Sequence, residues 1–194
     1  MNPRQWAEIA VRYTRAVLHG EPSNYGVTGF TNGVLRRLGI GGTCVEGSRD
    51  AVDRFAPRQQ QHNPNVDPRL QRITVSALVA TARRCGNCGE YADVAFYYLS
   101  LLRCPFPLDH AGYSNPGDHA FIIVGRPSNG SASDTATWGQ LTVVCDPWAD
   151  QVVNANRYWQ DMHAFPDRVY APKVDYRLAN PLPVLPGERV PRLV

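Results

Sequence analysis

The chain has 194 residues, of which 43% are hydrophobic and 19% charged, about one domain's worth on the usual prior of ~100–200 residues per domain. That balance supports a buried core and excludes general disorder. The net charge of +3 arises from 20 basic and 17 acidic residues, and apart from Lys173 every base is an arginine. They form no clustered stripe of the kind that marks a nucleic-acid protein.

The first predicted element is a helix. Asn2-Pro3 provides a cap and a first-turn proline, and Trp6, Ile9, Ala10, Tyr13 and Val17 follow at helical spacing until Gly20. Residues 20–66 are broken by Gly, Pro, Asn and Ser, with Gly33–Leu38 and Asp50–Phe55 as short helical candidates and Gln59–Asn65 as a polar loop. Asp67-Pro68 again reads as cap and proline, opening a helix with Leu70, Ile73, Ala77 and Ala80 on one face. After a break at Arg84–Asn87, a further helix is expected from Cys88 to Leu102. Its stripe is Tyr91, Ala92, Ala95, Phe96, Leu99 and Leu102, and Pro105 and Pro107 end it.

The periodicity then changes to strands, His119–Gly125 and Gln140–Asp146, joined by a loop rich in Ser, Gly, Asn and Thr. Beyond Trp159 the prolines predict an extended tail lying on the surface. Helices followed by strands argue for one α+β domain over 1–194. It would comprise a helical, loop-rich part (1–66), a core (67–150) and the tail (151–194). No apolar run approaches the ~20 residues of a membrane helix, and Met1–Gly20 lacks the apolar segment of a secretory signal. The expectation is therefore a soluble chain, cytoplasmic in the cell that makes it.

Five cysteines leave at least one thiol free in a monomer. Cys44, Cys104 and Cys145 read as buried, inert thiols. Cys88 is different: in the first turn of a helix, amide N–H groups and the positive end of the dipole favour the thiolate, the form that attacks carbonyls. Gly86-Asn87 and Gly89 leave its sulfur little cover. Such a nucleophile needs a base that returns the proton to a leaving group, and histidine suits that role near neutral pH.

His119 opens a strand after the turn Asn115–Asp118, and Asp146 ends the next. If Gly125 pairs with Gln140 in a hairpin, His119 and Asp146 become direct cross-strand neighbours, ~5 Å apart at Cβ. A carboxylate there can orient the imidazole and set its tautomer.

Cys85-Gly86-Asn87-Cys88 before a helix, Asp118-His119-Ala120 opening a strand and Asp146-Pro147-Trp148 closing one together resemble the papain-like superfamily over residues 68–150. The short Cys–His–Asp spacing and the helix start Gly89-Glu90-Tyr91-Ala92 are more similar to bacterial transglutaminase-like domains. They also resemble the small deamidase and protease domains of bacterial effectors and toxins. The resemblance implies a catalytic helix packed on an antiparallel sheet, with Cys88 as nucleophile, His119 as general base and acid, and Asp146 as orienter. It implies no cofactor and no metal.

Its reaction would be amide hydrolysis on a protein substrate, with glutamine deamidation ahead of proteolysis and transamidation. It also implies an effector or toxin delivered into a target cell by a specialised secretion system, accompanied by a cognate chaperone or immunity protein. Papain-type enzymes place a Gln shortly before the nucleophile, and Val79–Arg84 contains none. The oxyanion would fall to the Cys88 amide and Asn87, although Asn87 also reads as a turn residue. Trp148 either shields the His–Asp pair or packs the core. Outside this class stand a Cys-x-x-Cys redox protein, a zinc site and a non-enzymatic binding module.

Overall fold

The computed structural model describes residues 1–18, 44–113, 119–157 and 172–179. The first helix, α1 (Pro3–Val17), is closed at its start by a capping box in which Asn2 and Gln5 exchange side-chain and backbone hydrogen bonds. Its buried face is Pro3, Ala7, Ala10, Val11 and Thr14, one step round from the predicted stripe. The small side chains let α1 lie close on the sheet, while Trp6 and Tyr13 cover its flanks and Tyr13 stacks on Tyr98 at 3.7 Å.

The second helix, α2 (Cys44–His62), is much longer than the predicted Asp50–Phe55 and absorbs half of the predicted polar loop. Val45, Ser48, Val52 and Ala56 recur at helical spacing and are buried, a stripe sufficient to carry Pro57 and a polar last turn. The candidate Gly33–Leu38 lies outside the described residues. Helix α3 (Pro68–Arg83) starts as predicted, with Asp67 Oδ1 accepting from the Arg69 and Leu70 amides. Helix α4 (Cys88–Leu101) buries the predicted stripe from Tyr91 to Leu99, and Leu102, the residue that caps its end, is buried as well.

Five strands form one antiparallel sheet: β1 (Leu108–Tyr113), β2 (His119–Val124), β3 (Val143–Asp146), β4 (Gln151–Asn154) and β5 (Lys173–Leu178), in the order β4-β3-β2-β1-β5. Only β2 and β3 were expected, and β3 is shorter than predicted because Leu141 is solvent-exposed. The tail does not simply wrap the surface: 151–154 and 173–178 are paired strands, so the sheet extends past the predicted boundary at 150.

The period of two divides the sheet into two packed faces. Ile122, Val124, Val143 and Cys145 meet α1 and α4. Phe121, Ile123, Val144 and Val153 meet Trp138, which is contributed by the long β2–β3 connection and donates Nε1–H to the Ser131 carbonyl. The chain is thus α+β, with helices on one face and a loop-borne tryptophan on the other. Among the described residues no helix is long and apolar enough to cross a membrane.

Buried Asp109 ties the sheet together electrostatically. Arg126 forks onto both its oxygens at 2.7 and 3.1 Å, and Arg177 of β5 reaches them at 3.2 Å. Two guanidinium groups around one desolvated carboxylate, with further bonds to the Gly130 and Arg126 carbonyls, satisfy the charges that burial would otherwise penalise.

Candidate active site

The turn Cys85–Asn87 delivers the chain into α4 with Cys88 at its first position. Gly86 is required there, because a Cβ would lie 2.5 Å from the Glu90 Cβ. Glu90 in turn is buried, accepts from the Asn87 amide at 2.8 Å through Oε2, and receives Arg49 Nε at 3.0 Å on Oε1. The helix start is therefore held by a carboxylate at its N-terminus, where the dipole favours negative charge.

Cys85 is not part of a dithiol. It forms a disulfide with Cys44, the first residue of α2, and Ser48 Oγ lies 3.6 Å from its sulfur. This corrects the reading of Cys44 as a buried free thiol and removes the Cys-x-x-Cys redox arrangement, since Cys85 and Cys88 are not partners. The 41-residue separation explains why spacing alone did not suggest the bond. Cys104 and Cys145 are buried and free, as expected. Burial pushes the Cys104 thiol up to about 11, and Cys145 is displaced upward by burial and by the charge of Asp146.

His119 and Asp146 meet, although not by the predicted register. The observed ladder pairs Ile122 with Cys145; continued, it puts Asp146 across from Phe121, with His119 two residues further along. A shift of two preserves the face, whereas a shift of one would have separated the pair. The diagonal lies within reach of these side chains, and His119 Nε2 sits 2.6 Å from Asp146 Oδ2, both groups buried. The other oxygen, Oδ1, accepts the Ala149 amide at 3.1 Å.

The imidazole is also hydrogen-bonded to the Cys88 side chain, which raises its pKa. Burial works against charging His119. The bonds and charges of Asp146 and Cys88 outweigh burial and raise its pKa to about 9. The geometry thus places a cysteine, a histidine and an aspartate in one hydrogen-bonded line.

Aromatic rings enclose His119. Trp148 meets it edge-on at 5.2 Å, Tyr113 lies at 5.7 Å and Phe121 at 6.1 Å. Trp148 therefore touches His119 and also packs against the cluster around Tyr91 and Val94. Tyr113 was missed because β1 was not predicted: its six residues are all buried, yet Leu-Asp-His-Ala-Gly-Tyr carries no apolar run. Gly112 is the legible trace of that strand, since a Cβ there would lie 2.5 Å from the His119 carbonyl oxygen.

Asn87 is the N-cap of α4, with extended backbone, beside Cys88. Among the described residues no cluster of three or more His, Cys, Asp or Glu is placed to hold a metal ion. Comparison of this chain with protein-family models, with curated proteins and with solved structures finds no match.

Proposed function

We propose that the chain is a cysteine-dependent acyl-transfer enzyme of papain- or transglutaminase-like design that hydrolyses an amide of a protein substrate, in the first instance the carboxamide of a glutamine. The observation that carries this reading is the position of His119, hydrogen-bonded at once to buried Asp146 and to the thiol at the start of α4. A histidine with a raised pKa, set between a carboxylate and a thiol, supplies the acid that the reaction needs beside its nucleophile.

In the proposed reaction Cys88 Sγ attacks the carboxamide carbon. The developing oxyanion is met by the first-turn amide of Cys88 and by the Asn87 side chain. The tetrahedral adduct collapses, the C–N bond breaks, and the His119 imidazolium gives its proton to the departing ammonia. A water molecule, deprotonated by the now neutral His119, attacks the thioester; the acid leaves and the thiol is restored. Asp146 keeps Nε2 engaged and the ring oriented throughout, while Trp148, Tyr113 and Phe121 keep water off the His–Asp bond. Proteolysis and transamidation use the same thioester with a different leaving group or acceptor.

The test is mass spectrometry of a cell lysate treated with the native chain or with Cys88→Ala. Amide-to-acid mass increases at a few glutamines, absent with the variant, are the expected result. New peptide termini would convert the reading to a protease. An unchanged lysate, together with a Cys88 thiol that iodoacetamide does not modify, would sink it.

A further inference from the structure

A cleft of about 560 Å³ opens between α2, α3, the start of α4 and the β1–β5 edge, and Gly89 and Glu90, the two residues after Cys88, form part of its wall. Neither Cys88, His119 nor Asp146 lines it, so it is a site separate from the triad on the same helix. Its buried polar groups are Ser76 of α3, Glu90 of α4 and His110 of β1, with partly buried Asp93 of α4 beside His110; Glu90 is already paired with Arg49. His110 Nε2 lies 3.0 Å from Asp93 Oδ1, within ion-pair distance, yet among the described residues neither ring nitrogen makes a hydrogen bond. The residue is 9% exposed. A histidine this deep with both nitrogens unmet is uncommon, because a buried polar group without a partner costs ~1–3 kcal/mol.

Depth decides which charge the cleft prefers. The Asp93 side chain is 15% exposed, and among the described residues no donor hydrogen-bonds its carboxylate. The cationic side chains that line the cleft stand at its rim: Arg49, Arg72 and Lys173 are 56%, 58% and 80% exposed and face Glu90, Asp53 and Asp175 respectively. Arg69, also exposed, donates to the Asp175 carbonyl. Charges at the rim are screened and mutually offset, whereas an interaction at the floor acts through a lower dielectric.

We infer that this cleft binds the ammonium or guanidinium head of a basic side chain in the protein substrate, close to the amide presented to Cys88. The head donates to the Asp93 carboxylate and to a ring nitrogen of His110, meeting both groups at once. Half-buried Tyr176, which also lines the cleft, offers an aromatic surface to the same cation. The assignment of the basic group to a substrate rests on the acyl-transfer reading; the binding site itself does not.

The probes are N-acetylated methylamides of arginine, lysine, norleucine and glutamate, added to the full chain carrying Cys88→Ala, so that no turnover intervenes. The readout is the NMR signals of the His110 ring. Saturable shifts with the arginine or lysine compound, and none with norleucine or glutamate, are expected, with affinity weakened about 10- to 100-fold by Asp93→Asn. Unmoved His110 signals, or equal shifts with norleucine, overturn the inference, and these comparisons need no Asp93 variant to fold. An Asp93→Asn protein that is folded and binds as tightly as its parent overturns it too. Binding here with no glutamine conversion in the lysate would remove the enzyme reading and leave the cleft; conversion without binding would do the reverse.

Discussion

Replacing Asp146 by Asn keeps the shape of the side chain and removes the charge facing His119. In the native chain burial pulls the His119 pKa down, and the partners Asp146 and Cys88 more than offset it, raising the value from 6.5 to about 9. At about 1.4 kcal/mol per tenfold change in proton affinity, this is a preference of roughly 3 kcal/mol for the imidazolium in the folded chain over the unfolded one. With His119 only 3% exposed, solvent screens little of it. Because the folded value lies above the unfolded one, the contribution is complete below about pH 6.5 and is lost as pH rises through about 9.

The native chain should therefore lose up to roughly 3 kcal/mol of unfolding free energy over that interval. In Asp146→Asn burial regains the upper hand, so His119 titrates well below its native value and the alkaline loss of stability flattens. Histidine NMR titration, paired with urea unfolding at a series of pH values, reads both effects. A His119 that titrates at the same pH in the two proteins, or stability curves that stay parallel up to pH 9, would refute the reasoning. Turnover of the proposed reaction should also fall by orders of magnitude.

Opening the Cys44–Cys85 bond, by Cys85→Ser or by reductant, frees a loop of 41 residues in the unfolded chain. On the chain-entropy model this costs about 4 kcal/mol, readable as a lower urea midpoint, with Cys88 still alkylated by iodoacetamide. Asp109→Ala leaves Arg126 and Arg177 gathered around a missing carboxylate and should destabilise by roughly 3–5 kcal/mol. A loss under about 1 kcal/mol in thermal or urea unfolding would show the cluster to be solvated. Asn87→Ala should lower kcat by ~10²- to 10³-fold if its amide meets the oxyanion. If it serves only as a cap, stability falls by about 1 kcal/mol and kcat is unchanged.

Local chemistry decided what was legible in the sequence. Asp67-Pro68 and Asn2-Pro3 start helices through contacts within four residues, and the stripe from Tyr91 to Leu99 states its own period, so α1, α3 and α4 could be read directly. The three residues of the candidate triad were legible for the same reason. Each stands at the terminus of a readable element, where side chains of neighbouring elements converge. The diagonal register, by contrast, depended on how the β2–β3 connection folds back over the sheet to seat Trp138, which no local signal encodes.

Strand β5 was invisible because its partner β1 lies far away in the chain, whereas β4, joined to β3 by a short turn, has only two apolar residues among its four. β1 is buried through Asp109, whose arginines come from the segment after β2 and from the tail, and a buried charged residue looks like a surface residue until its partners are known. The disulfide belongs to the same class, since only the packing of α2 against the turn before α4 brings Cys44 to Cys85. The sequence alone determined α1, α3 and α4 and named the side chains of the candidate triad. Long-range pairing, whose entropy cost is recovered only once the whole sheet forms, decided the register, the buried charges and the cleft.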